Sequence, residues 1–167
     1  ASLAVLSCYW LLLRYSVRYP FVWLIALLAS SAPFLFRMNM AKAPPFAIIY
    51  LIVAIHLFFK RKSWPLLPLA LIFTWTYDLF VLLIMATVFW VITVAVTELK
   101  FEWRPLVYVL VGCVLGLVVN PYFPHNLQLL WEHIQIKVTT EAFPTKVGSE
   151  WYPYDSWEFL GNSAVAC

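Results

Sequence analysis

The chain has 167 residues, of which 64% are hydrophobic and 11% charged, with a formal net charge of +3 and a mean hydropathy of +0.86. A soluble domain is roughly half apolar and about a quarter charged, so this much apolar surface exceeds what one soluble core hides, and lipid is expected to solvate part of it. The basic residues stand singly or in short knots at the ends of apolar runs. They form no continuous patch, so nucleic acid is not an expected partner.

Residues 1–13 form an apolar run shorter than the roughly 20 residues that cross a bilayer core. With no initiator Met and no leader pattern, the run reads as the tail of a span, and the chain as an internal piece of a longer protein. Arg14, Arg18 and Pro20 mark a tight basic turn. A second span is expected over residues 21–36, with Pro33 near its end, followed by a polar loop over 37–45. There Pro44 and Pro45 stop one helix and preset the next. A third span, 46–59, closes on Lys60, Arg61 and Lys62.

Residues 64–96 decide the topology. As one helix they would extend about 50 Å at 1.5 Å per residue, well beyond the bilayer core, with Asp78 at a costly depth. A hairpin turning at Thr76, Tyr77 and Asp78 relieves both problems. It also brings Lys100 and Arg104 to the side that holds Arg14, Arg18 and Lys60 to Lys62, as the bias of basic loops toward one side of a membrane requires. The next span, 106–119, carries Gly112 and Gly116, a spacing that marks close helix packing. It ends at Asn120-Pro121-Tyr122-Phe123-Pro124-His125-Asn126. Leu127, Leu130, Trp131, Ile134 and Val138 then recur at helical spacing opposite Gln128, Glu132, His133, Gln135 and Lys137, an amphipathic pattern suited to a membrane surface. The expected fold is therefore all-α: a polytopic transmembrane bundle with a short helical hairpin and an interfacial helix. It divides into a transmembrane region 1–126, an external helix and aromatic loop 127–157, and the start of a further span at 158–167.

With the basic turns on one face, the other face collects the remaining polar residues. Arg37 and Lys42 can bind a phosphate, or simply snorkel at helix ends. Asp78 can orient a sugar hydroxyl, pair with Arg37, or cap the helix that follows. Asn120 and His125 join it as substrate-binding candidates. Glu150 and Tyr152 lie among aromatics able to stack on a saccharide or to form an interfacial belt. His56, His125 and His133 lack a metal-ligand spacing, and Cys8, Cys113 and Cys167 imply neither metal nor disulfide but packing. No glycine-rich phosphate loop or nucleophile elbow is present.

The Arg-led loop Phe36-Arg37-Met38-Asn39-Met40-Ala41-Lys42-Ala43-Pro44, the basic turn, the hairpin, the span closing on Asn120-Pro121-Tyr122-Phe123-Pro124 and the amphipathic helix after it occur in this order. Together they resemble the middle of bacterial GT-C class glycosyltransferases, the mannosyltransferase-like polytopic enzymes. The resemblance implies a bacterial inner-membrane, multi-pass location. It also implies transfer of a sugar from a polyprenyl-phosphate donor on the external face, with Arg37 holding the donor phosphate. That family's catalytic acid lies in its first external loop. No Asp or Glu precedes Asp78 here, so the catalytic residue is expected upstream of Ala1. The competing expectation is a transporter or lipid flippase-like membrane protein without covalent chemistry. The scarcity of ionisable residues within the spans argues against an ion-coupled pump.

Overall fold

A computed structural model describes residues 1–29, 32–39 and 44–138; within these, the side chains of Ala32, Pro33, Arg37, His133, Ile136, Lys137 and Val138 are left aside. The regular elements among the described residues are all helices, without a strand. In chain order they form α1 (Ser2–Arg14), α2 (Pro20–Ala29), α3 (Ala32–Asn39), α4 (Pro44–Phe59), α5 (Leu66–Thr76), a 3-10 turn (Asp78–Phe80), α6 (Val81–Glu98), α7 (Arg104–Val118) and α8 (His125–Val138). Proline opens several of these helices, at Pro20, Pro44 and Pro45, and Pro105 sits in the first turn of α7. There its missing N–H is no loss and its φ is already helical.

The expected span over 21–36 and the loop after it take a different form. Two helices, α2 and α3, occupy this stretch, and α3 continues through Arg37 to Asn39. The polar residues Arg37 and Asn39 thus prolong a helix rather than start a loop. Asn39 turns its side-chain amide back to donate to the Leu35 carbonyl at 3.1 Å, and Met38 is buried, which rewards the extra turn.

The long apolar stretch breaks where its length and Asp78 require. Tyr77 is extended (φ −157, ψ 132), Asp78–Phe80 form the 3-10 turn, and α6 runs back from there. The return is shown at the far end of the arms: Arg61, just before α5, is ion-paired with Glu98 at the end of α6 and lies 2.9 Å from Glu102. Asp78 follows the extended Tyr77 directly. It opens the 3-10 turn, and Phe80 precedes the α-helix proper.

Gly112 and Gly116 face α5. A Cβ on Gly112 would meet the Leu67 carbonyl and lie 2.8 Å from the Ala70 Cβ, and one on Gly116 would lie 2.8 Å from the Thr74 Cβ. Only residues without a side chain allow backbones this close. Because 112 faces 67 and 70 while 116 faces 71 and 74, α5 and α7 run in the same direction, and α6 returns between them in sequence. Around this contact Leu66, Ala70, Phe73, Phe80, Leu83, Val109 and Cys113 join Ala47, Ala54 and Phe58 of α4 in one buried cluster. Cys113 is a packing residue, as expected.

Three turns meet at one end of the bundle. Tyr15, beside Arg14, hydrogen-bonds His56 through its hydroxyl (3.1 Å to Nδ1) and packs edge-on against Phe59 at 4.7 Å. The α4–α5 turn follows at Lys60, and Arg61 ties it to the α6–α7 turn. Arg14, Arg18, Lys60, Arg61, Lys62, Lys100 and Arg104 all belong to these turns.

Large apolar side chains cover the outside of the helices, among them Trp23, Phe89, Val96 and Val114. Asp78–Glu98, 21 residues long and with mean hydropathy 2.8 in its 18-residue apolar window, is long and apolar enough to cross a membrane; α1, α2, α4, α5 and α7 are apolar but shorter.

Candidate functional site at the hairpin turn

At the end opposite the basic turns, the α5–α6 hairpin and the α7–α8 junction enclose an open cavity of about 690 Å³. Asp78, Asn120 and His125, three residues singled out from the sequence, all line it. They arrive from different elements: Asp78 from the 3-10 turn, Asn120 from the end of α7, His125 from the first position of α8. Lys42, Glu150 and Tyr152 lie outside the described residues. Arg37 falls on α3, and its side chain lies outside them too.

Local chemistry fixes the wall. The Asn120 side-chain oxygen accepts a hydrogen bond from the Tyr122 backbone N–H at 2.9 Å, a side-chain turn typical of Asn before Pro. The same residue's carbonyl accepts from Phe123 N–H at 2.9 Å. These bonds stop α7 and direct the chain across the cavity mouth into α8. There Asn126 reaches back, its side-chain nitrogen donating to the Leu117 carbonyl at 2.8 Å. Its other side-chain atom, Oδ1, is buried without a hydrogen-bond partner. On the α5 side the Trp75 indole N–H donates to the Gly116 carbonyl at 2.9 Å, a group exposed for bonding because Gly116 has no side chain. Thr74 and Thr76 hydroxyls return to the carbonyls of Ala70 (2.8 Å) and Ile72 (3.0 Å).

Four donors on this wall, the Trp75 indole, the Thr74 and Thr76 hydroxyls and the Asn126 amide, give to backbone carbonyls. The lining also carries the Asp78 carboxylate, the Asn120 amide, the buried Asn126 Oδ1, the His125 ring and the aromatic faces of Trp75, Tyr77, Phe80 and Tyr122. No Lys or Arg is among the described lining residues. Acceptors beside aromatic planes suit a neutral, hydroxyl-rich ligand better than a phosphate, which needs cations or free N–H groups. Trp75 and Asn126 escaped the sequence reading. A Trp beside a turn is common, and only the position of Gly116 opposite it shows that its N–H has a carbonyl to reach.

A smaller recess of about 220 Å³ lies at the basic end, lined by Arg61, Ser63, Phe101, Glu102, Trp103, Arg104 and Pro105. Arg61 there is backed by the Trp90 ring at 5.0 Å. The hydrogen bond it donates to Glu102, and then the charges of both carboxylates, hold its guanidinium above its ordinary pKa.

No known family matches this chain, and no curated protein or solved structure is detectably similar to it.

Proposed function

We propose that this chain is part of a multi-pass, bacterial inner-membrane glycosyltransferase of the GT-C kind. It takes a sugar from a polyprenyl-phosphate donor on the face opposite the basic turns, and the cavity at the hairpin turn holds the sugar. The carrying observation is the meeting of Asp78, Asn120 and His125 in one aromatic cavity, with no Lys or Arg among its described lining residues, at the end away from Lys60, Lys62, Lys100 and Arg104. Segregated basic turns favour one orientation in a bilayer, and the apolar outer surface is suited to lipid. α8 supports the same arrangement: Leu127, Trp131 and Ile134 are exposed on it, as on a helix lying in the interface with its apolar side toward the acyl chains.

In this reading Asp78 accepts hydrogen bonds from sugar hydroxyls, Asn120 and His125 complete the polar edge, and Trp75 and Tyr122 form the apolar face. The donor phosphate is held by Arg37 and Lys42. The test is transfer of radiolabelled mannose from polyprenyl-phosphate-mannose by membranes containing the full-length protein, compared with Asp78→Asn and Asp78→Ala. Loss of one well-placed bond to a charged acceptor costs about 1.5–3 kcal/mol, so transfer is expected to fall roughly ten- to hundredfold, with the protein still in the membrane fraction. Unchanged transfer in both variants would sink the role of Asp78. Binding of the lipid-linked sugar with no transfer by the full-length protein would favour the flippase-like reading.

A further inference from the structure

Among the described residues, the cations of the basic end have few acids to answer them. Arg14, Arg18, Lys60, Lys62, Lys100 and Arg104 are all exposed. Of the four acidic residues among those described, Asp78 and Glu132 belong to the hairpin turn and α8, at the other end. Glu98 and Glu102 are both engaged by Arg61. One arginine therefore absorbs the only carboxylates on this end among the described residues, and none of the other six cations is ion-paired with a described carboxylate. Such a surface repels itself unless an anion covers it.

The relief at this end narrows the choice of anion. The recess beside Arg104 has Ser63 and the Arg104 guanidinium as its polar groups not engaged by the Arg61 pairs, and its rim is apolar. Phe101 and Trp103 are 72% and 55% exposed there, next to Leu99 and Trp64, which are 90% and 67% exposed. A free phosphate gains nothing from exposed aromatics. A phospholipid does, because its phosphate sits at the depth where Trp rings and basic side chains meet the acyl region.

We infer that the recess between Ser63 and Arg104 binds the phosphate of an anionic phospholipid headgroup, with Phe101 and Trp103 against its glycerol and upper acyl carbons, and with Lys60, Lys62 and Lys100 supplying the surrounding positive field. Basic recesses between helices at a membrane face are suited to such headgroups. The inference rests on the membrane reading above but not on the sugar-transfer reading.

The test uses the full-length protein in nanodiscs of mixed phosphatidylglycerol and phosphatidylcholine, with retained lipid identified by native mass spectrometry after release. Phosphatidylglycerol is expected to be retained over phosphatidylcholine. Arg104→Gln should lower that preference about fivefold, as removal of one cation near an anionic surface does. Arg104→Lys should keep most of it, and Lys100→Gln, outside the recess, should lower it less than Arg104→Gln. Equal retention of the two lipids by the wild type, or an Arg104→Gln protein that retains phosphatidylglycerol as well as the wild type, overturns the inference. Displacement of phosphatidylglycerol by inorganic phosphate alone would show a free-anion site and overturn the lipid assignment. Release of the protein from membranes by an alkaline carbonate wash would instead defeat the membrane reading itself.

Discussion

Replacing Gly112 by Ala tests the contact on which both the hairpin and the cavity depend. The added Cβ would stand 2.8 Å from the Ala70 Cβ and press on the Leu67 carbonyl. Carbon atoms prefer about 3.5–4.0 Å, so α5 and α7 must move apart by roughly 1 Å or bend. Neither obstacle is the tip of a flexible side chain; one is backbone and the other a Cβ. Overpacking of this kind costs about 1–3 kcal/mol, and the better helix propensity of Ala returns about 0.8–1 kcal/mol. With both contacts under 3.0 Å and on atoms that cannot swing away, the upper half of that overpacking range applies, and the net is a destabilisation of about 1–2 kcal/mol, or a fall in melting temperature of roughly 2–8 °C for a chain of this size. Gly116→Ala meets the Thr74 Cβ at 2.8 Å and should behave alike, and because the two glycines share one interface their effects should not add. Thermal unfolding of the purified protein, followed by helical circular dichroism, reads the shift. A Gly112→Ala protein as stable as the wild type, or more so, would refute close backbone packing as the reason for this glycine.

Leu99→Gly should raise stability by about 1 kcal/mol in the same melting experiment. Leu99 closes α6 in the left-handed region (φ 52, ψ 31) and is 90% exposed, so glycine removes backbone strain without losing packing; a lower melting temperature would count against this. Trp75→Phe keeps an aromatic wall but leaves the Gly116 carbonyl without its indole donor. About 1 kcal/mol of stability should be lost, along with definition of the cavity, read as weaker binding of the lipid-linked sugar; unaltered melting and binding would show that the bond is idle. Tyr15→Phe deletes the hydroxyl that reaches His56 but keeps the ring against Phe59. A loss of about 0.5–1.5 kcal/mol is expected, and no loss would mean that ring packing alone joins α1 to α4.

The sequence was informative where one residue type has one physical use. Asp78 in a stretch too long for one crossing forces a turn, and the chain turns there. Two glycines four apart in an apolar helix predict a close neighbour, and α5 is that neighbour. The polar residues Asp78, Asn120 and His125 were grouped by counting crossings, and they do share a cavity. Pairings between distant segments were not legible, because nothing in the periodicity of α7 says which helix its small face meets. Nor does Lys60-Arg61-Lys62 reveal that its middle residue alone turns to the carboxylates of Glu98 and Glu102. The left-handed conformations of Ser16, Tyr19, Arg61 and Leu99 were equally hidden, since all four occur where glycine would be the expected residue. The extension of α3 through Arg37 was missed because its signal, a buried Met38, is a tertiary one.

The same-direction pairing of α5 with α7 also has a consequence for the order of assembly. α5 has 11 residues, about 16 Å of helix, and the carbonyl that receives its Trp75 lies 41 residues further along the chain. During synthesis α5 therefore waits, with its small-residue groove unfilled, until α6 has turned back and α7 has emerged. Contacts with such separation form only after the intervening chain has been ordered, so the α5–α7 contact and the cavity beside it are late products. A nascent chain halted before Arg104 should leave a cysteine placed at Ala70 open to thiol reagents, and one halted beyond Val118 should close it. Protection already present in the shorter chain would mean that α5 finds another partner first.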